Sequence, residues 1–258
     1  MKKILKTFLI FGPIFIVFLM LFVRFAYGFV LYPAPNDEGP ILLEGFEIIN
    51  TEGVEFLYSP AEGGLQTIVY FHGNNETLKD ITYIAEEYVS YGLGIAMMEY
   101  PGYGDLDGDP SEELIYASAN TVFDYLNEQG IANDEIVVIG YSLGTGVATE
   151  MAYRGFGMKL VLIAPYTSVP DVAERFLPFL PVDFLIPEHF DTYEKSASIV
   201  VPTLIIHGTA DKTIPYDMGV TLSQIFQNAE FGGQQGKGHH DYFDDETIGV
   251  VAEFVTRL

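Results

Sequence analysis

Five short, nearly continuous apolar runs set the fold class of this chain: residues 67–72 (TIVYFH), 94–100 (GIAMMEY), 136–139 (IVVI), 159–163 (KLVLI) and 203–207 (TLIIH). A strand with one wet face alternates apolar and polar residues. A run without that alternation belongs to a strand buried on both faces. Helical spacing occupies 76–91, 111–128, the residues after 144, 216–226 and 243–257. Strands alternating with helices give a mostly parallel sheet with helices on both faces, an α/β architecture. Residues 45–50 and 54–58 flank Thr51-Glu52-Gly53 and predict a hairpin, and 229–231 predicts a short last strand. Ser111, with Glu112 and Glu113 behind it, is placed to start a helix. At 258 residues and 49% hydrophobic, the chain can bury the core of one such domain.

Ligands of an open parallel sheet bind beyond the carboxyl ends of its strands. The unusual residues of this chain collect there: His72-Gly73-Asn74, Pro101-Gly102-Tyr103-Gly104, Ser142, Asp211 and His239-His240. Gly140-Tyr141-Ser142-Leu143-Gly144 reads G-x-S-x-G between a buried strand and a plausible helix, the context of a nucleophile elbow. Alone, the pentapeptide is equally a common turn; its company at the sheet edge favours catalysis. A serine hydroxyl needs a base to take its proton and a carboxylate to orient that base, in the chain order Ser, acid, His. Ser142, Asp211 and a histidine at 239 or 240 obey that order, and local spacing does not choose between the two histidines. Asp183 and Asp191 are rival acids, but they fall in an irregular segment. An oxyanion hole needs two backbone N–H groups, assigned to Leu143 and to Asn74 in the loop after the 67–72 strand. His72 is read as structural.

The first 30 residues carry Lys2, Lys3, Lys6 and Arg24 and no acid. Residues 4–23 are long and apolar enough to cross a bilayer. Arg24 can snorkel, and no small-x-small cleavage site follows, so the segment reads as an uncleaved anchor. The positive-inside rule keeps the N-terminus in the cytoplasm and places the body in a periplasm or extracellular space. The resulting division is an anchor at 1–32, a linker at 33–44 and a catalytic domain at 45–258 with a small cap at about 170–198. The body holds all 36 acidic residues, and the net charge of −24 excludes nucleic acid as a partner. The chain has no cysteine, which excludes disulfides, thiolate metal sites and a cysteine nucleophile. No metal or cofactor is called for.

Taken together, Phe71-His72-Gly73-Asn74, Glu99-Tyr100-Pro101-Gly102-Tyr103-Gly104, Gly108-Asp109-Pro110-Ser111-Glu112, Gly140 to Gly146, Ala164-Pro165-Tyr166-Thr167-Ser168, Pro202 to Pro215 and Gly236-x-Gly238-His239-His240-Asp241 resemble the α/β-hydrolase superfamily over roughly residues 41–258. Within it the chain is similar to the serine aminopeptidase-like subgroup, which includes membrane-anchored α/β-hydrolase domain proteins. The subgroup's last motif, G-x-G-H-N-D, maps its catalytic histidine onto His239 and leaves His240 where the family has Asn. Asp105 stands where a small residue commonly follows the G-Y-G turn. The resemblance implies a serine hydrolase acting on an ester, thioester or amide of a small-molecule or acylated substrate. A peptidase acting on short peptides and a non-catalytic binding module are the alternatives. Apolar residues at 176–181 and 184–186 give the cap a face that lines an acyl pocket or packs the cap onto the core.

Overall fold

A computed structural model describes residues 2–36, 39 and 41–257, with the backbone alone for residues 2–11. The hairpin forms from β1 (Glu47–Thr51) and β2 (Val54–Ser59), and six further strands follow: β3 (Thr67–Phe71), β4 (Gly94–Met98), β5 (Ile136–Tyr141), β6 (Lys159–Ile163), β7 (Thr203–Gly208) and β8 (Ala229–Gln234). They make one eight-stranded sheet in the order β1-β2-β4-β3-β5-β6-β7-β8. β1 pairs antiparallel with β2, and β2 antiparallel with β4; every other pairing is parallel. The expected α/β-hydrolase sheet is therefore present, with β5 flanked by β3 and β6.

Side chains alternate across the sheet, so each apolar run feeds two cores. Val69 and Phe71 of β3 join one cluster with α3 (Glu112–Glu128), α4 (Gly144–Tyr153) and α8 (Tyr216–Ile225). Ile68 and Tyr70 join the opposite cluster with α2 (Thr82–Ser90) and α9 (Asp245–Thr256). Burial on both sides explains why these strands show no polar face. Ser111 caps α3, accepting from the Leu114 N–H at 3.2 Å, as its sequence position implies.

Two local expectations are corrected. The helix predicted over 76–91 begins only at Thr82, after a 3-10 turn at Lys79–Ile81. The backbone N–H groups of Thr77 and Leu78 go instead to the carboxylates of Asp80 and Glu99. Asp183 and Asp191 are not in irregular chain: Asp183 lies in α6 (Val182–Leu185), and Asp191 caps α7 (Thr192–Ser196) through the Glu194 N–H. Together with α5 (Val169–Phe176), these short helices form the cap between β6 and β7.

The N-terminal segment is one helix, α1 (Lys2–Leu31), of which Gly12–Leu31 is long and apolar enough to cross a membrane. The chain leaving it is pinned to the body. Tyr32 is buried, donates to Glu188 Oε2 at 3.0 Å and meets the Phe190 ring edge-on, and the Gly104 N–H donates to the Pro35 carbonyl at 3.0 Å. Within the linker expected at 33–44, Asp37, Glu38 and Pro40 lie outside the described residues, as do the side chains of Lys2, Lys3 and Lys6 on which the orientation reading rests.

Candidate active site

β5 delivers Ser142 into a turn that only small neighbours permit. Ser142 itself sits at φ +51°, in the left-handed region, a conformation a non-glycine residue holds only when its surroundings enforce it. Three bonds enforce it. The Ser142 N–H donates to the Ile163 carbonyl at 3.0 Å, and the Thr145 N–H and hydroxyl donate back to the Ser142 carbonyl at 3.0 and 2.6 Å. A side chain at Gly144 would collide with the Phe71 carbonyl, and one at Gly140 with the Gly144 carbonyl. The two glycines let α4 start directly against β3, which raises the serine at the sheet's carboxyl edge.

The loop after β8 brings His239 to Ser142. Ser142 Oγ lies 2.9 Å from His239 Nε2, and His239 Nδ1 lies 2.7 Å from Asp211 Oδ2. All three residues are nearly buried. Asp211 follows β7, and its other oxygen accepts from the Thr213 and Ile214 N–H groups, both at 2.9 Å. Burial alone would raise the pKa of Asp211. The hydrogen bond and charge of His239, joined by the two N–H groups, outweigh it and hold the carboxyl below its usual range. The structure thus joins Ser142, Asp211 and His239 in one hydrogen-bonded chain. His240 is exposed and turned away, with its Nδ1 3.2 Å from the Tyr141 hydroxyl.

Leu143 and Asn74 line the same cavity as Ser142, and among the described residues neither backbone N–H has an acceptor. Both N–H groups are open to an acceptor and both residues border the cavity that Ser142 lines, as an oxyanion hole would require. The Asn74 loop is held from below by a network the sequence reading did not identify. His72 is fully buried, with Nε2 3.1 Å from Glu99 Oε1 and Nδ1 2.7 Å from the Gly73 carbonyl. Burial lowers the His72 pKa, but the Glu99 carboxylate more than offsets this and the net direction is upward. The Tyr100 hydroxyl donates to the His72 carbonyl at 2.8 Å and the Tyr103 hydroxyl to the Asn74 carbonyl at 2.9 Å. Tyr141 and Tyr242 were missed likewise. The Tyr141 hydroxyl donates to the His239 carbonyl at 2.7 Å, and the Tyr242 hydroxyl to Asp211 Oδ2 at 3.2 Å. Glu99, Tyr100, Tyr103 and Tyr141 lie inside the quoted motifs and Tyr242 lies three positions after His239, but each one's partner is far along the chain, so no local pattern marks the bond.

The cavity above Ser142 has a volume of about 610 Å³. Its lining is apolar apart from Ser142, Asn74, Thr213 and two tyrosines, and it contains no charged side chain. Among the described residues, no group of three His, Asp or Glu is placed to hold a metal.

Comparison with known proteins places these features in context. The family model for serine hydrolase (FSH1) matches residues 49–240. The α/β hydrolase domain-containing protein aho-3 of Caenorhabditis elegans is 32% identical over 68% of this chain and 52% of its own length. The α/β hydrolase domain-containing protein 17B of Xenopus laevis is 30% identical over 74% of this chain and 64% of its own. The chain thus spans between about half and two thirds of these curated relatives. Among solved structures, the Pyrococcus furiosus esterase Pf2001 superposes with a TM-score of 0.70 at 17% identity, covering 86% of this chain and 98% of that one. Est1E from Butyrivibrio proteoclasticus gives 0.64 at 19%, covering 83% and 96%. At these identities the structural likeness speaks for the fold alone.

Proposed function

The chain belongs to the serine hydrolase (FSH1) family of α/β hydrolases, and within it we propose a membrane-anchored hydrolase of carboxylic esters or thioesters that works through an acyl-enzyme on Ser142. The observation that carries this reading is the Ser142–His239–Asp211 chain, 2.9 and 2.7 Å long, at the end of an apolar cavity.

His239 Nε2 takes the Oγ proton as Oγ bonds to the substrate's acyl carbon. Asp211 holds His239 with Nδ1 protonated, so that Nε2 is the free acceptor, and its anion stabilises the imidazolium that forms. The substrate's carbonyl oxygen gains negative charge, which the Leu143 and Asn74 N–H groups stabilise. When the tetrahedral centre collapses, the bond to the leaving oxygen or sulfur breaks and His239 returns the proton to that group. A water then attacks the acyl-enzyme by the same route, with His239 as base, and releases the acid and free Ser142. α1 anchors the protein with its N-terminus in the cytoplasm and the catalytic body outside.

A fluorophosphonate probe tests the chemistry. It is expected to label the wild type and not Ser142→Ala, with p-nitrophenyl acetate hydrolysis lost in parallel. A folded wild type that neither reacts with the probe nor cleaves the ester favours a binding module instead. A reporter fused after residue 258 tests the orientation: it is expected to be digested by protease added outside intact spheroplasts, and protection reverses the reading.

A further inference from the structure

The cavity above Ser142 has an unexpected wall. Beside the cap residues Val169, Val172, Ala173 and Phe176, it is lined by α1 itself, from Leu19 through Val23, Ala26 and Tyr27 to Leu31. We propose that α1 is part of the substrate pocket as well as an anchor, and that α1 and the cap form a channel taking the acyl chain of a neutral, bilayer-resident ester, with its carbonyl delivered to Ser142. The proposal rests on the hydrolase reading above and extends it to the substrate.

Four observations carry it. The helix is fixed to the catalytic loop. Asn74, which lines the cavity together with Ser142, sends its side-chain Nδ2 to the Val30 and Leu31 carbonyls at 3.1 and 3.2 Å, satisfying acceptors that a helix end leaves open. The distance fits: the twelve helical steps from Leu31 to Leu19 span about 18 Å, close to the ~15 Å that one leaflet contributes to the hydrocarbon core. A chain lying along that wall has membrane-lipid length, and its ester sits at the end of the helix, near the hydrocarbon boundary. The chemistry of the lining fits as well. No Lys, Arg, His, Asp or Glu lines the cavity, and the body outside it is strongly acidic, so an anionic headgroup would meet repulsion and no counter-charge. Finally, the cap continues the apolar surface of the helix. α6 packs on α1, and Phe176, Phe179 and Phe184 are 63%, 95% and 81% exposed, large apolar rings that a water-facing cap does not favour.

The test uses the full chain in lipid nanodiscs. A long-chain alkyl fluorophosphonate with a diazirine at its far end is attached to Ser142, irradiated and mapped by mass spectrometry. Adducts are expected in the α1 stretch from 19 to 27 and on the cap at 172–177. Adducts confined to other parts of the body, or to lipid, overturn the channel. In parallel, Ala26→Trp is expected to lower the ratio of kcat/KM for p-nitrophenyl palmitate over acetate by about tenfold, the scale on which a pocket discriminates small changes of fit. Phe25→Trp, which lies on α1 outside the lining, is expected to leave the ratio unchanged. Equal loss on both esters, or no change in Ala26→Trp, also overturns it. Should that variant fail to fold, the wild-type cross-link still decides. Faster turnover of lysophosphatidylglycerol than of monoolein overturns the neutral headgroup, and a preference for an S-palmitoyl peptide over both overturns the lipid-ester substrate. Absence of any labelling by a short fluorophosphonate overturns the hydrolase reading itself, which separates the two failures.

Discussion

Ser142 combines strain and aim in one buried residue: a positive φ held by its neighbours' hydrogen bonds, and an oxygen pointed at His239. The roles assigned around it separate by mutation. Asp211→Asn keeps the shape but favours the wrong imidazole tautomer, and is expected to lower kcat on the order of 10⁴-fold. His240→Ala is expected to keep most activity, because His240 points outward; both are read from steady-state rates on p-nitrophenyl acetate. An inactive His240→Ala variant with unchanged thermal stability would exchange the two histidines. The spacing of residues could not make that choice, since adjacent positions in a glycine-rich loop look alike until the loop is folded. The Tyr141 hydroxyl meets both, donating to the His239 carbonyl at 2.7 Å with His240 Nδ1 3.2 Å away, while the His239 ring reaches Ser142 and the His240 side chain is exposed.

At the scale of elements, the loop that carries His239 is tied to the helix behind it. Asp244 caps α9 through the Thr247 N–H at 3.0 Å, and both its oxygens accept from Lys237, two residues before His239. These bonds, the Lys237 side chain first, lower its pKa to about 2. A carboxylate depressed in the folded state stabilises the fold above its unfolded pKa of ~3.9 and loses that contribution as pH falls toward 2. Asp244→Ala is expected to cost about 1 kcal/mol at neutral pH, as a lost N-cap does. The gap to wild type should close in thermal melts as pH falls through that window. A gap that persists at the acid end would mean that the carboxylate's charge is not what it contributes. Helix caps of this kind were legible in advance at Ser111, because the capping residue and its target are three positions apart. The late start of α2 was not, because the carboxylate that diverts the Leu78 N–H comes from Glu99, 21 residues on and just past the end of β4.

Across the whole molecule, 36 acidic residues face 12 basic ones, and like charges repel throughout a compact body. Moderate salt screens that repulsion, so the melting temperature is expected to rise between low ionic strength and about 0.5 M NaCl. A fall would show that specific ion pairs such as Glu150 with Lys195 and Arg154 outweigh the general field. The sequence alone determined the parallel sheet, the elbow, the apolar N-terminal helix and the order of Ser142, Asp211 and the histidines. Each of these is written locally, as a run of apolar residues, a spacing of glycines or a position after a strand. Residue spacing left the two histidines open and only the family resemblance pointed to His239; the tertiary structure decided that His239 meets Ser142, that Glu99 and four tyrosines brace the site, and that α1 walls the cavity. Those facts depend on contacts between residues far apart in the chain, such as Tyr141 with His239 and Ser142 with His239, and burial makes such contacts specific without leaving any periodic trace in the sequence.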